Sequence, residues 1–233
     1  MEKCSLLIEN TTVMTDAETI QTGMDIAVCG EKIAAVVKHG EREFQAKKVI
    51  IGKEKLIMPG LIDSHMHTGQ QLLKGLVLDA KPIIWTRVML PFESTLTSEK
   101  MQLSAKAAAL EMIKSGTSGF VDAGSYFMEA AAEVYVQSGL RGCLSFSTMD
   151  EEGLPESIAM DAVQAVKETD TLYEHWNNQG NLKVYYSLRA LNSCSDKLTE
   201  MAAKHARDRG AMLQAHMNEY QGEIDGIIRR EGM

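Results

Sequence analysis

After Leu56 the chain alternates short apolar runs with stretches of helical length, and this alternation limits the possible folds more than any other feature. Strand, helix and strand in succession put the two strands parallel in one sheet, with the helix as the crossover. Strands are expected at 56–66, 117–122, 141–148, 182–189 and 211–216. Helices are expected at 98–115, 126–138, 156–176, 196–209 and from about 221. Ser98 with Met101-Gln102, and Ser195 with Leu198, read as helix starts; Gly116, Gly139, Gly180 and Gly210 read as helix ends. Before residue 55 the pattern is all strand, at 5–13, 24–29, 32–38 and 47–51, with turn residues such as Cys29-Gly30-Glu31-Lys32 between them. Two domains are therefore expected, 1–54 and 55–233.

Five strand–helix units occupy residues 56–233, roughly 36 residues each, so eight would need roughly 285, the size of a closed parallel barrel. The sequence is thus expected to hold only the first five units, and to leave its last strand with an unpaired edge that favours association with another copy. The 233 residues are 45% hydrophobic, enough for a sizeable core. The net charge of −8 comes from acidic and basic residues that are interspersed, which argues against nucleic acid and anionic membrane surfaces as partners. No apolar run approaches a membrane span and the N-terminus has no leader pattern, so a cytoplasmic location is expected. Cys4, Cys29, Cys143 and Cys194 lie far apart without CxxC spacing, and are expected to be reduced packing residues.

The run Ile57-Met58-Pro59-Gly60-Leu61-Ile62-Asp63-Ser64-His65-Met66-His67 ends in two histidines at i, i+2, which in a strand point to one face. Two neutral imidazoles on a stiff element make half of a first coordination shell for zinc or a similar divalent metal. A third histidine, His216, ends the run Ala211-Met212-Leu213-Gln214-Ala215, and Glu219 follows three residues later. A carboxylate so placed can carry a proton from an activated water to a substrate. Parallel strands open their carboxyl ends onto one face, so the three histidines converge despite their distance in sequence. Asp63 shares the His65/His67 face and is a candidate to orient a ligand, or else makes a structural hydrogen bond; Asp122, at another strand end, has the same two readings.

Pro59-Gly60-Leu61-Ile62-Asp63 leading into His65 and His67, then His216 with Glu219, resembles the amidohydrolase superfamily. Within it, the branch of methylthioadenosine/S-adenosylhomocysteine deaminases and triazine chlorohydrolases is the most similar. Leu90-Pro91-Phe92-Glu93 and Glu111-Met112-Ile113-Lys114-Ser115-Gly116-Thr117 extend the likeness. The resemblance implies an α/β fold, a partial TIM-type (β/α) barrel preceded by part of a small β-sandwich. It also implies three further units carrying another histidine and an aspartate ligand. The implied cofactor is one divalent metal ion, zinc, with iron, manganese or nickel as alternatives. Binuclear relatives are implied to use a modified lysine at the end of strand four; Lys183 begins that strand, so a single metal is expected.

The implied activity is deamination of an amino-substituted nitrogen heterocycle, a purine of the adenosine-type nucleoside kind, with Glu219 moving the proton. Residues 68–97 form a long connection of the sort that covers barrel mouths. In the resembling nucleoside deaminases an aromatic and a glutamate of this loop contact the ribose, which points to Trp85 and Glu93. Gln70 and Arg189 instead resemble positions that in guanine deaminases grip an oxo-purine, and a nucleoside deaminase would more often show histidine near Arg189. Arg189 has a third reading, an ion pair with a nearby acid. Guanine or pterin deamination and triazine dechlorination are therefore alternatives, and an inactive truncated fragment is an alternative of another class.

Overall fold

The computed structural model describes residues 1–80 and 83–232. It divides into two compact units, Met1–Gly60 and Leu61–Met233. The first is a sheet of five strands, β1 (Glu2–Met14), β2 (Ile20–Cys29), β3 (Lys32–Lys38), β4 (Phe44–Ile51) and β5 (Leu56–Ile57), without a helix among them. Its order is β3-β2-β1-β4, with β5 also on β1. The β2–β3 hairpin turns through Gly30 at φ 60°, which glycine supplies at no steric cost. The β1–β2 register slips between Ile8 and Thr11, where Asn10 takes φ 54°. The Asp25 carboxylate accepts the Asn10 N–H at 2.8 Å there and also bonds His39 Nδ1 at 2.8 Å. Burial alone would raise the pKa of Asp25, but these bonds hold it below the usual carboxylate value.

In the second unit β6 (Leu61–Met66), β7 (Thr117–Asp122), β8 (Arg141–Leu144) and β9 (Leu182–Val184) form one parallel sheet, and β10 (Tyr186–Leu188) pairs in parallel with β11 (Leu213–Ala215). The expected strand 182–189 is thus two strands. At Tyr185 the backbone still donates to Leu144 O at 2.8 Å, and one residue later Tyr186 N bonds Met212 O at 2.9 Å, so the chain exchanges β8 for β11 as partner. The expected strand 56–66 is likewise broken, at Met58-Pro59-Gly60, where proline has no N–H for a ladder. Strand 141–148 stops at Leu144, beyond which only a single bridge, Ser125 to Phe146, remains.

The connection after β6 is a 3-10 turn (Thr68–Leu73), a π-helical turn (Trp85–Met89) and the short helix α1 (Leu90–Glu93); residues 81 and 82 of that stretch lie outside the described residues. The crossover helices are α2 (Ser98–Ser115), α3 (Met128–Ser138), α4 (Ala162–Trp176) and α5 (Asp196–Arg209), and α6 (Gln221–Glu231) follows β11. Ser195 Oγ accepts from Leu198 N at 3.1 Å, as expected, whereas α2 is capped by Thr97 rather than Ser98. Helix α4 starts at Ala162 and not at 156, because the Asp161 carboxylate caps Gln164 N at 2.8 Å. Gly116, Gly139 and Gly210 end their helices in the left-handed conformation; Gly180 does not, since α4 stops earlier, at Asn177.

Helices α2 and α3 cover β7 and β8 through Met101, Ala105, Met112, Phe120, Tyr135 and Leu144. Helices α4 and α5 cover β10 through Val166, Tyr186, Leu188, Leu198 and Ala202. Burial of this one face of each helix supplies most of the folding free energy. The four cysteines form no disulfide; Cys4 and Cys194 are buried, whereas Cys29 is exposed rather than packed. Among the described residues no helix is long and apolar enough to cross a membrane.

Candidate active site

The carboxyl ends of β6 and β11 bring His65, His67 and His216 together, with their ligating atoms all within 4.8 Å of one another. Ring centroids stand 4.9 to 5.2 Å apart, and His67 Nε2 is 3.1 Å from His216 Nε2. Donors bound to one tetrahedral ion at about 2.0–2.1 Å stand roughly 3.4 Å apart, so the spacing fits a divalent cation. Second-layer bonding fits as well. His67 Nδ1 donates to Gly124 O at 2.7 Å, which places the proton on Nδ1 and leaves the Nε2 lone pair toward His216. Burial, reinforced by the charge of Arg189, pushes the pKa of His67 down to about 2 and that of His216 down to about 4. Both rings are neutral near pH 7, the form that ligates metals.

Gly124 holds that acceptor in place at φ 114°, and a Cβ there would lie 2.9 Å from Ser187 Oγ and 3.1 Å from Phe146 O. Asp122, fully buried, fastens both sides of His67. It accepts Thr68 N at 2.9 Å through Oδ2 and Gly124 N at 2.8 Å through Oδ1. Burial raises its pKa to about 6 against the pull of those bonds. Gln214 on β11 reaches across to Asp122 O at 2.8 Å and Ser145 Oγ at 2.6 Å. Asp63 bonds no imidazole; its carboxylate accepts the backbone N–H of His65 at 3.2 Å. Lys183 is exposed near the start of β9, at the other end of the strands from the histidines, and bonds Asn178.

A cavity of about 180 Å³ is lined by His65, His67, Gln70, Trp85, Met89, Arg189, Ala190, His216 and Glu219. Glu219 is exposed on its wall, just after Asn218 turns the chain at φ 57°, and its N–H donates to the buried carboxylate of Glu223 at 2.8 Å. Glu93 is the one expected site residue not on the wall. It lies behind, fully buried, where both its oxygens accept from Arg189 Nη2 at 3.2 Å and Oε1 also accepts from Gln70 Nε2 at 2.9 Å. Arg189 Nη1 donates to Gly124 O at 3.2 Å, and its guanidinium lies 5.7 Å from the Trp85 ring centroid. Breaking so buried a pair by removing one partner costs about 3–5 kcal/mol.

Gly124, Tyr126 and Glu223 were not expected at the site. Tyr126 brings a buried hydroxyl near the Glu93–Arg189 pair, and burial, then the charge of Glu93, pushes its pKa well up against the pull of Ser147. The Asp-x-Gly at residues 122–124 was the available signal, since aspartate at a strand end readily bonds the backbone two residues on. Tyr126 and Glu223 left no local pattern that marks them out.

A parallel β/α half-barrel with His-x-His after its first strand and a third histidine after its last defines a class, and comparison with known sequences agrees. Residues 56–232 match the model of the amidohydrolase family, and the chain belongs to that family. It is 29% identical over 235 residues to a 5-methylthioadenosine/S-adenosylhomocysteine deaminase of Caldanaerobacter subterraneus subsp. tengcongensis, an alignment that covers 98% of this chain and 52% of that protein. It is 31% identical over 237 residues to a 5'-deoxyadenosine deaminase of Methanosarcina mazei, covering 97% and 52%. An adenosine deaminase structure from Xanthomonas campestris, with zinc bound, matches 100% of this chain and 53% of its own, with a TM-score of 0.91 and 22% identity. The chain thus spans about half the length of the curated relatives it matches, and its fold is the expected partial TIM-type barrel.

Proposed function

We propose that this chain is part of a metal-dependent aminohydrolase that removes the amino group of a nitrogen heterocycle, an adenosine-type nucleoside of the methylthioadenosine/S-adenosylhomocysteine kind. The observation that carries the reading is the convergence of three imidazoles and the Glu219 carboxylate on one cavity. His65, His67 and His216 are the residues that would hold the metal. Nitrogen donors suit zinc, the metal in the Xanthomonas structure, although they also suit iron, manganese or nickel. When bound, such an ion supplies the Lewis acidity that makes water nucleophilic near neutral pH.

The chain's own groups do the rest. Glu219 takes a proton from the attacking water and delivers it to a ring nitrogen of the substrate; the remaining hydroxyl proton of the tetrahedral carbon then passes to the amino group, which leaves as ammonia as the carbonyl forms. Trp85 offers an aromatic wall and a buried indole N–H without an acceptor of its own, poised to bond a substrate. A second reading, a guanine- or pterin-like substrate, is favoured by one specific arrangement. Glu93 is engaged behind the wall while Gln70 and Arg189 are on it.

The test uses the whole protein and a panel of 5'-methylthioadenosine, S-adenosylhomocysteine, adenosine, guanine, isoxanthopterin and an aminotriazine, with metal analysis beside the kinetics. Nucleoside turnover is expected. His65→Ala or His216→Ala should lose metal and activity together, whereas Glu219→Gln should keep metal and lose most turnover. A fully active Glu219→Gln enzyme would remove the proton carrier from the mechanism, and action on guanine or a pterin alone would promote the second reading.

A further inference from the structure

We propose that Glu93 is a positioning residue that acts through Arg189 and Gln70 and does not itself touch the substrate. The inference rests on the aminohydrolase reading for its kinetics but not for its geometry. A carboxylate has about four lone-pair sites. Three of those on Glu93 are occupied, two by Arg189 Nη2 and one by Gln70 Nε2, and the side chain is wholly buried. The remaining site is closed off by that burial, so a ribose hydroxyl could reach it only by opening the packing around a buried ion pair.

The same bonds fix what the cavity wall offers. Both terminal nitrogens of Arg189 are engaged by the protein, Nη1 beside Gly124 O, Ser147 Oγ and His67 Nδ1, Nη2 with the two Glu93 oxygens. Its Nε–H is the donor left over. Gln70, with its amide nitrogen committed to Glu93, has its carbonyl oxygen to spare. Glu93 therefore determines which N–H Arg189 has left to offer and turns the Gln70 amide so that its oxygen is the free end, a donor and an acceptor on the wall they share that match an acceptor beside a donor on a heterocycle's edge. Specificity then depends on Glu93 equally for a nucleoside and for its free base, because its effect passes through groups that face the ring.

The experiment measures kcat/KM of the zinc-loaded whole protein on 5'-methylthioadenosine and adenine. Glu93→Gln should lower both by a similar factor, roughly tenfold or more. On an Arg189→Met background the same change should cost clearly less than in the wild type, the remainder passing through Gln70, a comparison that needs only one working substrate. A loss confined to the nucleoside, or losses that multiply across the two positions, would overturn the proposal. If the wild type turns over neither compound, the adenosine-type substrate assignment fails on its own. The positioning role is then decided with guanine on the same four proteins: a coupled loss of kcat/KM supports it, and losses that multiply refute it.

Discussion

Gly124→Ala is the most informative perturbation of the site, because one methyl group tests both the local geometry and its link to the histidines. Gly124 sits at φ 114°, and a Cβ would lie 2.9 Å from Ser187 Oγ and 3.1 Å from both Phe146 O and Ser147 Cα. Backbone strain for a non-glycine residue there is about 1–3 kcal/mol. Forcing an extra carbon into packed surroundings adds about 1–3 kcal/mol, since two of the three neighbours are backbone and cannot rotate away. A loss of about 4 kcal/mol corresponds to a fall in Tm of roughly 8–16 °C for a chain of this size. Gly139→Ala is the control. That glycine also has positive φ, 74°, but a Cβ there meets nothing within 4 Å, so only the left-handed penalty of about 1–2 kcal/mol applies. The second readout is zinc affinity by competition with a chromophoric chelator. Gly124 O orients His67 through Nδ1, and disturbing such a contact typically costs about 10–100-fold in metal affinity. Gly139→Ala should leave affinity unchanged. Equal Tm losses at the two glycines, or wild-type zinc affinity in Gly124→Ala, would refute the reasoning.

Two further outcomes are expected. In the metal-free chain His67 and His216, with pKa values lowered from about 6.5 to about 2 and about 4, bind fewer protons folded than unfolded, so they should make stability rise as pH climbs from 4 to 6.5. Asp122, raised to about 6, works the other way between about 3.8 and 6, so melting curves of Asp122→Asn should show a steeper pH dependence than wild type; a shallower one contradicts the assignment. Residues 1–233 alone, with three candidate ligands and half the length of their relatives, should bind less than one tight zinc equivalent and show negligible turnover. Rates on the order of 1–1000 per second from that chain would sink this expectation.

What the sequence made legible was local. His65 and His67 could be paired because two residues along a strand return to one face, and His216 joined them because parallel strands end on one side. Ser195 and the glycines at 116, 139 and 210 mark helix ends within a few residues. Boundaries set by distant partners were not legible. The break at Tyr185 depends on which strand lies alongside, and nothing in Val184-Tyr185-Tyr186 announces a change of neighbour. The role of Glu93 was hidden for the same reason, since its guanidinium partner is 96 residues away and a loop glutamate looks alike whether it faces solvent or a buried cation. Asp63, which shares a face with two histidines, spends its carboxylate on the backbone N–H of His65 instead.

The contact between His67 and His216 joins residues 149 positions apart. Anything that bridges those two rings is also a staple across most of the second unit, and it can form only after β11 has docked. The entropy of closing so long a loop has by then been met by strand pairing and by Gln214, which means a bridging ion would reward only chains in which β11 is already in place. Metal uptake followed in time would therefore report the arrival of β11, a slow and non-local event, rather than the formation of the helices that precede it.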